Sequence, residues 1–464
     1  MLSQRWPWWT MAGLVVAAYL ASVVDVRWRD PRPVGGAADV ERLRERDDVN
    51  LLFVLIDTLR ADHLGAWGYH RDTSPVLDRL ARGGVRFAHQ VSQSSWTKCS
   101  MASLWTGLYP ARTGVTRFDH VVAPEATLPA EILRAAGFRT AGLFRNGWVD
   151  SSFGFSQGFE VYTKPVGRPL PDSVKRENPT VTDGGSDQDA VDAAREFLRV
   201  YGKERWFLYV HLMDLHEYTY DEDSARFGSG YLDVYDNAIL RTNLVLDGLF
   251  DALARDGLLD RTVIVVASDH GEAFDERGYE GHARFVYRET SDVPLIVSFP
   301  FRLEPGVVVE KTTRNVDIWP TLLDLLGLPP MEDVDGRSQR DAILAAARGE
   351  PAPADAEPAI AHLDRTWGGR VDNPAHTVSI AEGAYRYVRV PLEDGGYDEE
   401  LFDREHDPAE LADVGDAHPD EVARLRGVAD RYLESRPAWK GGAPTLEIDE
   451  IQLNQLRALG YQVP

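Results

Sequence analysis

The feature that most restricts the fold is an apolar run, NLLFVLID at 50–57, that ends in a carboxylate. It shows no polar alternation, so a strand made from it is dry on both faces. The same pattern recurs in ERWFLYVHLMD at 204–214 and DRTVIVVASDH at 260–270, each preceded by an amphipathic helical pattern. VRFAHQV at 85–91 reads as a further strand. The segments between are helical. In SPVLDRLARGG, Ser74 stands at the N-cap, Pro75 at the first helical position and Gly83 past the end. LPAEILRAAGFRTAGLF at 128–144 reads as a helix, Gly137, then a strand. Such alternation predicts an α/β fold, a mainly parallel sheet flanked by helices.

In sheets of this kind the working residues lie beyond the C-terminal ends of the strands. Here those ends carry Asp57, then His211 and Asp214, then Asp269 and His270. A single strand-end Asp serves most often as a turn or helix cap. Several in register gather carboxylate and imidazole at one edge, and that edge is the expected site. Asp57, Asp269 and His270 supply the donor set for a borderline divalent ion such as Zn or Mn, while an oxygen-richer set would suit Mg or Ca. Asp62 and His63 are read as capping and packing residues.

The chain of 464 residues is long enough for one large domain and a smaller one. Its formal net charge of -24 argues against nucleic acid or an anionic membrane face as a partner. An anionic substrate stays compatible, because a bound cation dominates its local field. One cysteine, Cys99, rules out an intramolecular disulfide.

At the N-terminus, WPWWTMAGLVVAAYLASVV runs from Trp6 to Val24, about the length that spans a bilayer. Trp6, Trp8 and Trp9 would sit at one interface. Residues 1–25 are therefore expected to be a transmembrane anchor or signal segment, and 26–49 a charged, Pro/Gly-containing linker with one short helix. Residues 50–335 form the expected catalytic domain. Residues 336–440, which include TVSIAEGAYRYVRV and HPDEVARLRGVADRYLESR, form a small C-terminal α+β subdomain with an antiparallel sheet. Residues 441–464 form a docking helix and tail. The expected location is membrane-anchored, with the catalytic domain extracytoplasmic.

NLLFVLIDTLRADHLGAWGY, TKCSMASLWTGLYPARTGV, FLYVHLMDLHEY, VIVVASDHGEAFDERGYEGHARFVYRE, VDIWPTLLDLLGLP and LRALGY occur in that order. Through them the chain resembles the sulfatase family of the alkaline phosphatase superfamily, from Asn50 to Pro464. The resemblance implies an alkaline-phosphatase-like fold. Family sulfatases carry a Cys-x-Pro-Ser-Arg motif whose cysteine lies ten residues before a Leu-Thr-Gly glycine. Counting back from Gly107 gives Thr97, and Cys99 falls on the motif's proline. Relatives with Thr at this place include phosphoethanolamine transferases and lipoteichoic acid synthases. Thr97 is thus the expected nucleophile, and Cys99 a small buried hydrophobe.

The resemblance further implies one divalent metal ion (Mn, Zn, Mg or Ca) held by Asp57, Thr97, Asp269 and His270. Thr58 replaces a second family carboxylate. His216 and His282 match histidines able to protonate the leaving oxygen, and Asn146 matches an anion-contacting Asn. His211 is expected either to contact substrate or to be a structural strand-end residue. Two departures stand out. Met101 occupies the place of the Arg that orients the family nucleophile, and no Lys matches the usual anion clamp. Lys98 is the adjacent candidate for that clamp, with Arg145, Arg284 and Arg288 as further sources of positive charge.

Three functions compete. The first is a hydrolase or transferase of phosphate esters and diesters that uses Thr97. The second is a sulfuric ester hydrolase without formylglycine. The third is a catalytically weak, membrane-anchored binding protein. A sulfated formylglycine collapses without further attack at sulfur, whereas a sulfated Thr needs water to attack sulfur, so a Thr nucleophile favours phosphoryl chemistry. The expected substrate is a small anionic ester or a lipid- or glycan-linked one. Because spacing selects Thr97, peptide mass spectra should show an unmodified thiol at Cys99, and Cys99→Ser should keep most of the activity. An aldehyde or its hydrate at residue 99 would reverse this register.

Overall fold

The computed structural model describes residues 9–11, 13, 30–166, 185–351, 353, 357–369 and 373–447. The first labelled strand is β1 (Asn50–Ile56), followed by helix α1 (Pro75–Arg82), β2 (Val85–Val91) and α2 (Thr97–Thr106). Next come α3 (Pro129–Ala135), β3 (Arg139–Leu143), β4 (Val161–Thr163), α4 (Asp187–Tyr201) and β5 (Trp206–Leu212). Then follow α5 (Tyr231–Arg255), β6 (Thr262–Ala267), β7 (Asp292–Val293), β8 (Leu295–Ser298), β9 (Val307–Arg314) and α6 (Ile318–Leu325).

These strands make one sheet in the order β7-β2-β8-β6-β1-β5-β3-β4, with β9 added on β2. β1 runs parallel to both neighbours, β5 and β6, and β3 is parallel to β5. The expected α/β fold with a mainly parallel sheet is therefore the observed one. β8 departs from it by running antiparallel to β6 and β2.

The apolar run of β1 is buried at every position. Leu51, Phe53 and Leu55 belong to one core, where Phe53 stacks on Trp319 at 5.1 Å and Trp319 on Trp105 at 5.1 Å. Leu52, Val54 and Ile56 belong to the core on the opposite face, with Leu77 of α1 and Leu246 and Leu249 of α5. Successive residues enter different cores, which is why no polar alternation is tolerated. All ten residues of α2 are buried, and two of its hydroxyls bond internally: Ser100 Oγ donates to the Asp269 carbonyl at 2.6 Å and Thr106 Oγ1 to that of Ala102 at 2.6 Å. Gly107 ends the helix at φ +68, a left-handed conformation that glycine adopts without strain.

The second sheet is antiparallel, in the order β10 (Ala359–Asp364), β11 (His376–Glu382), β12 (Tyr385–Pro391) and β13 (Tyr397–Asp403). Helix α7 (Pro419–Leu433) covers it, with Leu425, Ala429 and Tyr432 against Ile360, Ile380 and Leu401. This matches the expected C-terminal subdomain. The linker expectation for 26–49 needs correction in its second half. Val40 and Leu43 lie in the main core, because the short helix Ala37–Arg42 and the turn after it bury their apolar face.

Among the described residues no helix is long and apolar enough to cross a membrane. The expected span Trp6–Val24 and most of the expected 441–464 docking helix lie outside the described residues.

One buried guanidinium joins the two sheets. Arg386 on β12 pairs with Asp292 on β7, donates to Glu410 at 3.0 Å and to Ser291 Oγ at 2.9 Å. Arg386→Met should cost about 3 kcal/mol, because it strands Glu410 in the interior while Asp292 keeps some solvent. Chemical denaturation measures this; a loss of less than about 1 kcal/mol would show that the pair is dispensable.

Candidate active site

The register of the sheet builds the site. Leu55 on β1 lies opposite His211 on β5 and Ala267 on β6, so the residues just past β1 and β6 emerge side by side. Asp57 follows β1, Asp269 and His270 follow β6, and His211 stays within β5. Asn146 lies three residues beyond β3, and Thr97 opens α2. All six are fully buried at 0% exposure.

Asp57 Oδ2 accepts from Asn146 Nδ2 at 2.7 Å and faces His211 Nε2 at 3.1 Å. Asn146 Nδ2 also reaches Thr97 Oγ1 at 3.4 Å. Thr97 Oγ1 lies 3.1 Å from His270 Nε2. The His270 Nδ1 hydrogen is directed at the Gly271 carbonyl, 3.0 Å away, which leaves Nε2 as the lone-pair nitrogen facing the site. Asp269 Oδ1 accepts weakly from the Thr58 amide at 3.4 Å. Thr58 itself is held at φ +61, a conformation a β-branched residue adopts only under constraint. Tyr235 provides part of that constraint by donating to the Thr58 carbonyl at 2.7 Å.

Among the described residues, Asp57 Oδ1 and Asp269 Oδ2 have no hydrogen-bond partner, although both are buried. His270 Nε2 lies 3.7 Å from the first and 3.4 Å from the second. One donor atom each from Asp57, Asp269 and His270 falls within 4.8 Å of the others. Two buried carboxylate oxygens facing one imidazole lone pair form an unfavourable cluster unless a cation joins them. The donor set therefore fits a divalent ion. The titration behaviour agrees. Burial opposes ionisation of Asp57, but His211, His216 and His270 hold its carboxyl well below the usual range. Burial and the Asp57 charge push Asp269 far above it. Burial and the neighbouring His282 depress His270 to about 3, which keeps it neutral and ligand-competent.

Two further histidines stand beside this centre. The His282 ring is 4.5 Å from that of His270 and 5.0 Å from that of His216. His282 Nδ1 meets both carboxylate oxygens of Glu272 at 3.1 Å. Burial disfavours charge on His282, yet Glu272 outweighs it and raises its pKa. Burial lowers that of His216. Of the two, His282 is the better proton donor. Ala283 fixes the loop carrying His282: it sits at φ +58, donates to the Ser95 carbonyl at 2.8 Å and accepts from Trp367 Nε1 at 3.1 Å. Glu272 was not among the residues expected from the sequence. The available signal was its place two residues after His270, which aims it back into the same cluster.

The structure corrects two expected positive charges. Lys98 is fully buried, donates to the Phe118 carbonyl at 2.5 Å and lies over the Phe153 ring at 3.6 Å. Burial holds its ammonium well below the usual lysine range. Because α2 is enclosed on all sides, its second residue points into an aromatic pocket instead of clamping an anion. Arg145 is likewise committed: Nη1 binds Asp187 at 2.7 Å and Asp214 at 2.5 Å, and Nη2 binds Glu217 at 2.9 Å. It ties the loop carrying Asn146 to the loop carrying His216. Arg288 pairs with Asp62 at 3.1 Å, and Arg284 is exposed. Asp62 also binds Arg60 at 2.9 Å, an ion pair in place of the expected cap, and His63 binds Asp236 at 2.9 Å and packs against the Tyr69 and Tyr235 rings. Burial pushes the Cys99 thiol up to about 12, which makes it inert. A cavity of about 530 Å³ lined by Asp62, Trp67, His89, Arg288 and Arg404 includes none of Asp57, Thr97, Asp269 and His270.

The sulfatase family profile matches residues 49–328, and that of the N-sulphoglucosamine sulphohydrolase C-terminal region matches residues 276–426. An ulvan-active sulfatase of Formosa agariphila is 25% identical over 397 residues, covering 76% of this chain and 75% of the relative. A choline-sulfatase of Rhizobium meliloti is 34% identical over 174 residues, 36% of this chain and 30% of the relative. The crystal structure of the phosphonate monoester hydrolase of Agrobacterium radiobacter superposes with a TM-score of 0.65 at 21% identity, covering 83% of this chain and 95% of that one. With its family profile, fold and buried Asp–Asp–His centre in agreement, the chain belongs to the sulfatase family, the ester hydrolases of the alkaline phosphatase superfamily.

Proposed function

We propose that the chain hydrolyses phosphate esters or diesters through a covalent intermediate on Thr97. The observation that carries this reading is the Thr97 hydroxyl, 3.1 Å from His270 Nε2 at the first residue of α2. A divalent ion held by Asp57, Asp269 and His270 would lower the pKa of a hydroxyl and draw an ester oxygen. The first amides of α2 have no helical acceptor, so the same helix start offers N–H donors to the anion. Asn146, between Asp57 and Thr97, orients both. In the first step the Thr97 oxygen bonds to phosphorus as its hydroxyl proton passes to solvent, the bond from phosphorus to the ester oxygen breaks, and His282, held by Glu272, gives that departing oxygen a proton. In the second step the neutral His282 takes a proton from water as the water oxygen bonds to phosphorus, the bond from phosphorus to Thr97 breaks, and Thr97 leaves with its oxygen intact and regains its proton from solvent.

A borderline ion such as Mn or Zn suits the imidazole in this set better than Ca does. The second reading is sulfate ester hydrolysis without formylglycine, favoured by the sulfatase relatives. In both readings the segment Trp6–Val24 holds the body at a membrane, on its extracytoplasmic side, and glycan- or lipid-linked esters are accessible substrates. The apolar length of that segment is the support for this placement.

Thr97→Ala should lower turnover of a phosphodiester by about a thousandfold or more and leave metal occupancy largely intact. Thr97→Ser should recover part of the rate. Rapid quenching should trap a phosphate or a sulfate on Thr97, which separates the two readings by mass. Wild-type rates in Thr97→Ala on both ester classes would refute the covalent role.

Asp57→Ala, Asp269→Ala and His270→Ala should each lower metal content and activity together. Elemental analysis of the purified chain should give one tightly bound divalent ion. Two per chain, or activity undiminished after chelation, would contradict the single-ion centre.

A further inference from the structure

We propose that Trp367, a residue of the C-terminal subdomain, is a positioning residue for both Thr97 and His282. The inference rests on the reading of the Thr97 centre as an ester hydrolase, and carries that site across to the second sheet. Trp367 lies in the loop between β10 and β11. Its amide donates to the Asp364 carbonyl at 3.0 Å, and its carbonyl accepts from the Phe118 amide at 2.9 Å. Asp364 Oδ1 closes the loop by accepting from the Thr366 amide at 2.9 Å and the Ala375 amide at 3.0 Å. The ring fixed in this way stacks on that of Trp96 at 4.5 Å, with 23° between the planes. Trp96 is the N-cap residue of α2, so the stack bears on the residue directly before Thr97. Trp148 packs edge-on against both rings, 5.4 Å from Trp96 and 6.0 Å from Trp367. The Trp148 amide donates to Asn146 Oδ1 at 2.9 Å, while Asn146 Nδ2 faces Asp57 and Thr97.

The edge of the same ring holds the proton donor. Trp367 Nε1 donates to the Ala283 carbonyl at 3.1 Å, and the Ala283 amide donates to the Ser95 carbonyl at 2.8 Å. Ala283 stands at φ +58, a left-handed conformation that a residue with a Cβ keeps only when its surroundings hold it. These two bonds hold it, and so set the direction of the preceding residue, His282, whose ring lies 4.5 Å from that of His270. Segments 94–97, 146–148 and 282–283, remote from one another in sequence, thus meet around one indole of the other sheet. Filling the core requires the ring of Trp367 but not its N–H. Among the described residues, the buried indole N–H groups of Trp96, Trp206 and Trp319 have no hydrogen-bond partner, so burial alone does not force such a bond. At Trp367 the N–H is aimed at a strained residue beside the acid.

Two replacements in the full chain test this. Trp367→Phe keeps an aromatic ring on Trp96 and removes the N–H. Benzothienylalanine in place of Trp367 keeps the outline of the indole and removes the N–H alone. Turnover of methyl phenyl phosphate is compared with that of methyl 4-nitrophenyl phosphate, and phenyl sulfate with 4-nitrophenyl sulfate. Phenolate is a poor leaving group that needs the His282 proton, whereas 4-nitrophenolate departs without it. Both replacements should lower kcat on the phenyl ester about tenfold more than on the nitrophenyl ester. Crystal structures of both should show Ala283 outside the left-handed region and the His282–Glu272 contact lengthened. Equal effects on the two esters would overturn the proposal, because lost packing alone slows both alike. An unmoved Ala283 would overturn it as well. If the wild-type chain cleaves none of the four esters, the ester-hydrolase reading falls, and the geometry of Ala283 alone decides on Trp367. Wild-type rates in Thr97→Ala would remove the covalent step and leave the comparison of leaving groups in force.

Discussion

The two unpartnered oxygens of Asp57 and Asp269 are the constraint on which the rest depends. Parallel pairing of β1 with β5 and β6 puts these side chains at adjacent strand ends and buries both. In a dry interior two such groups cannot both ionise without compensation. Each neighbour makes a partial answer to that conflict. Asn146 and His211 occupy one oxygen of Asp57, Thr58 reaches one oxygen of Asp269, and His270 turns a lone pair toward the remaining two. Sulfatases depend on a divalent ion, and these donors are arranged for one.

The helix that carries Thr97 solves a different problem. α2 is enclosed throughout, so Thr97 is placed by core packing and not by a surface loop. Burial of the whole helix also directs the neighbours of Thr97 away from the site. Lys98 is diverted to a carbonyl and an aromatic ring, and Cys99 faces the His362 carbonyl at 3.9 Å. The charge balance of the site is therefore set by carboxylates, imidazoles and helix amides, with Arg145 spent on joining loops.

Much of this was legible in the sequence. An apolar run without alternation predicts a doubly buried strand, and a rule about strand ends then places Asp57, His211, Asp269 and His270 together. The ten-residue spacing to Gly107 selects Thr97. What sequence could not supply was direction. Nothing in the order Thr-Lys-Cys says that Lys98 turns inward, or that Arg145 meets three carboxylates from two other segments. Glu272 escaped notice for the same reason, since its partner His282 lies ten residues on, across the two-stranded turn of Ala273–Phe274 and Glu280–Gly281. Val40 and Leu43 were hidden by composition: a charged, Pro- and Gly-bearing segment reads as linker even when two of its residues fill a core.

The contrast between α2 and the turn around Tyr218 also implies two regimes of backbone opening. Amides of a helix with no solvent-facing residue exchange with water only when the body opens as a whole, whereas the turn around Tyr218, held mostly by local bonds, opens on its own. The placement of Thr97 is then as long-lived as the fold itself, while the turn after His216 opens at lower cost. At Thr97 any change must pass through the packing of the core.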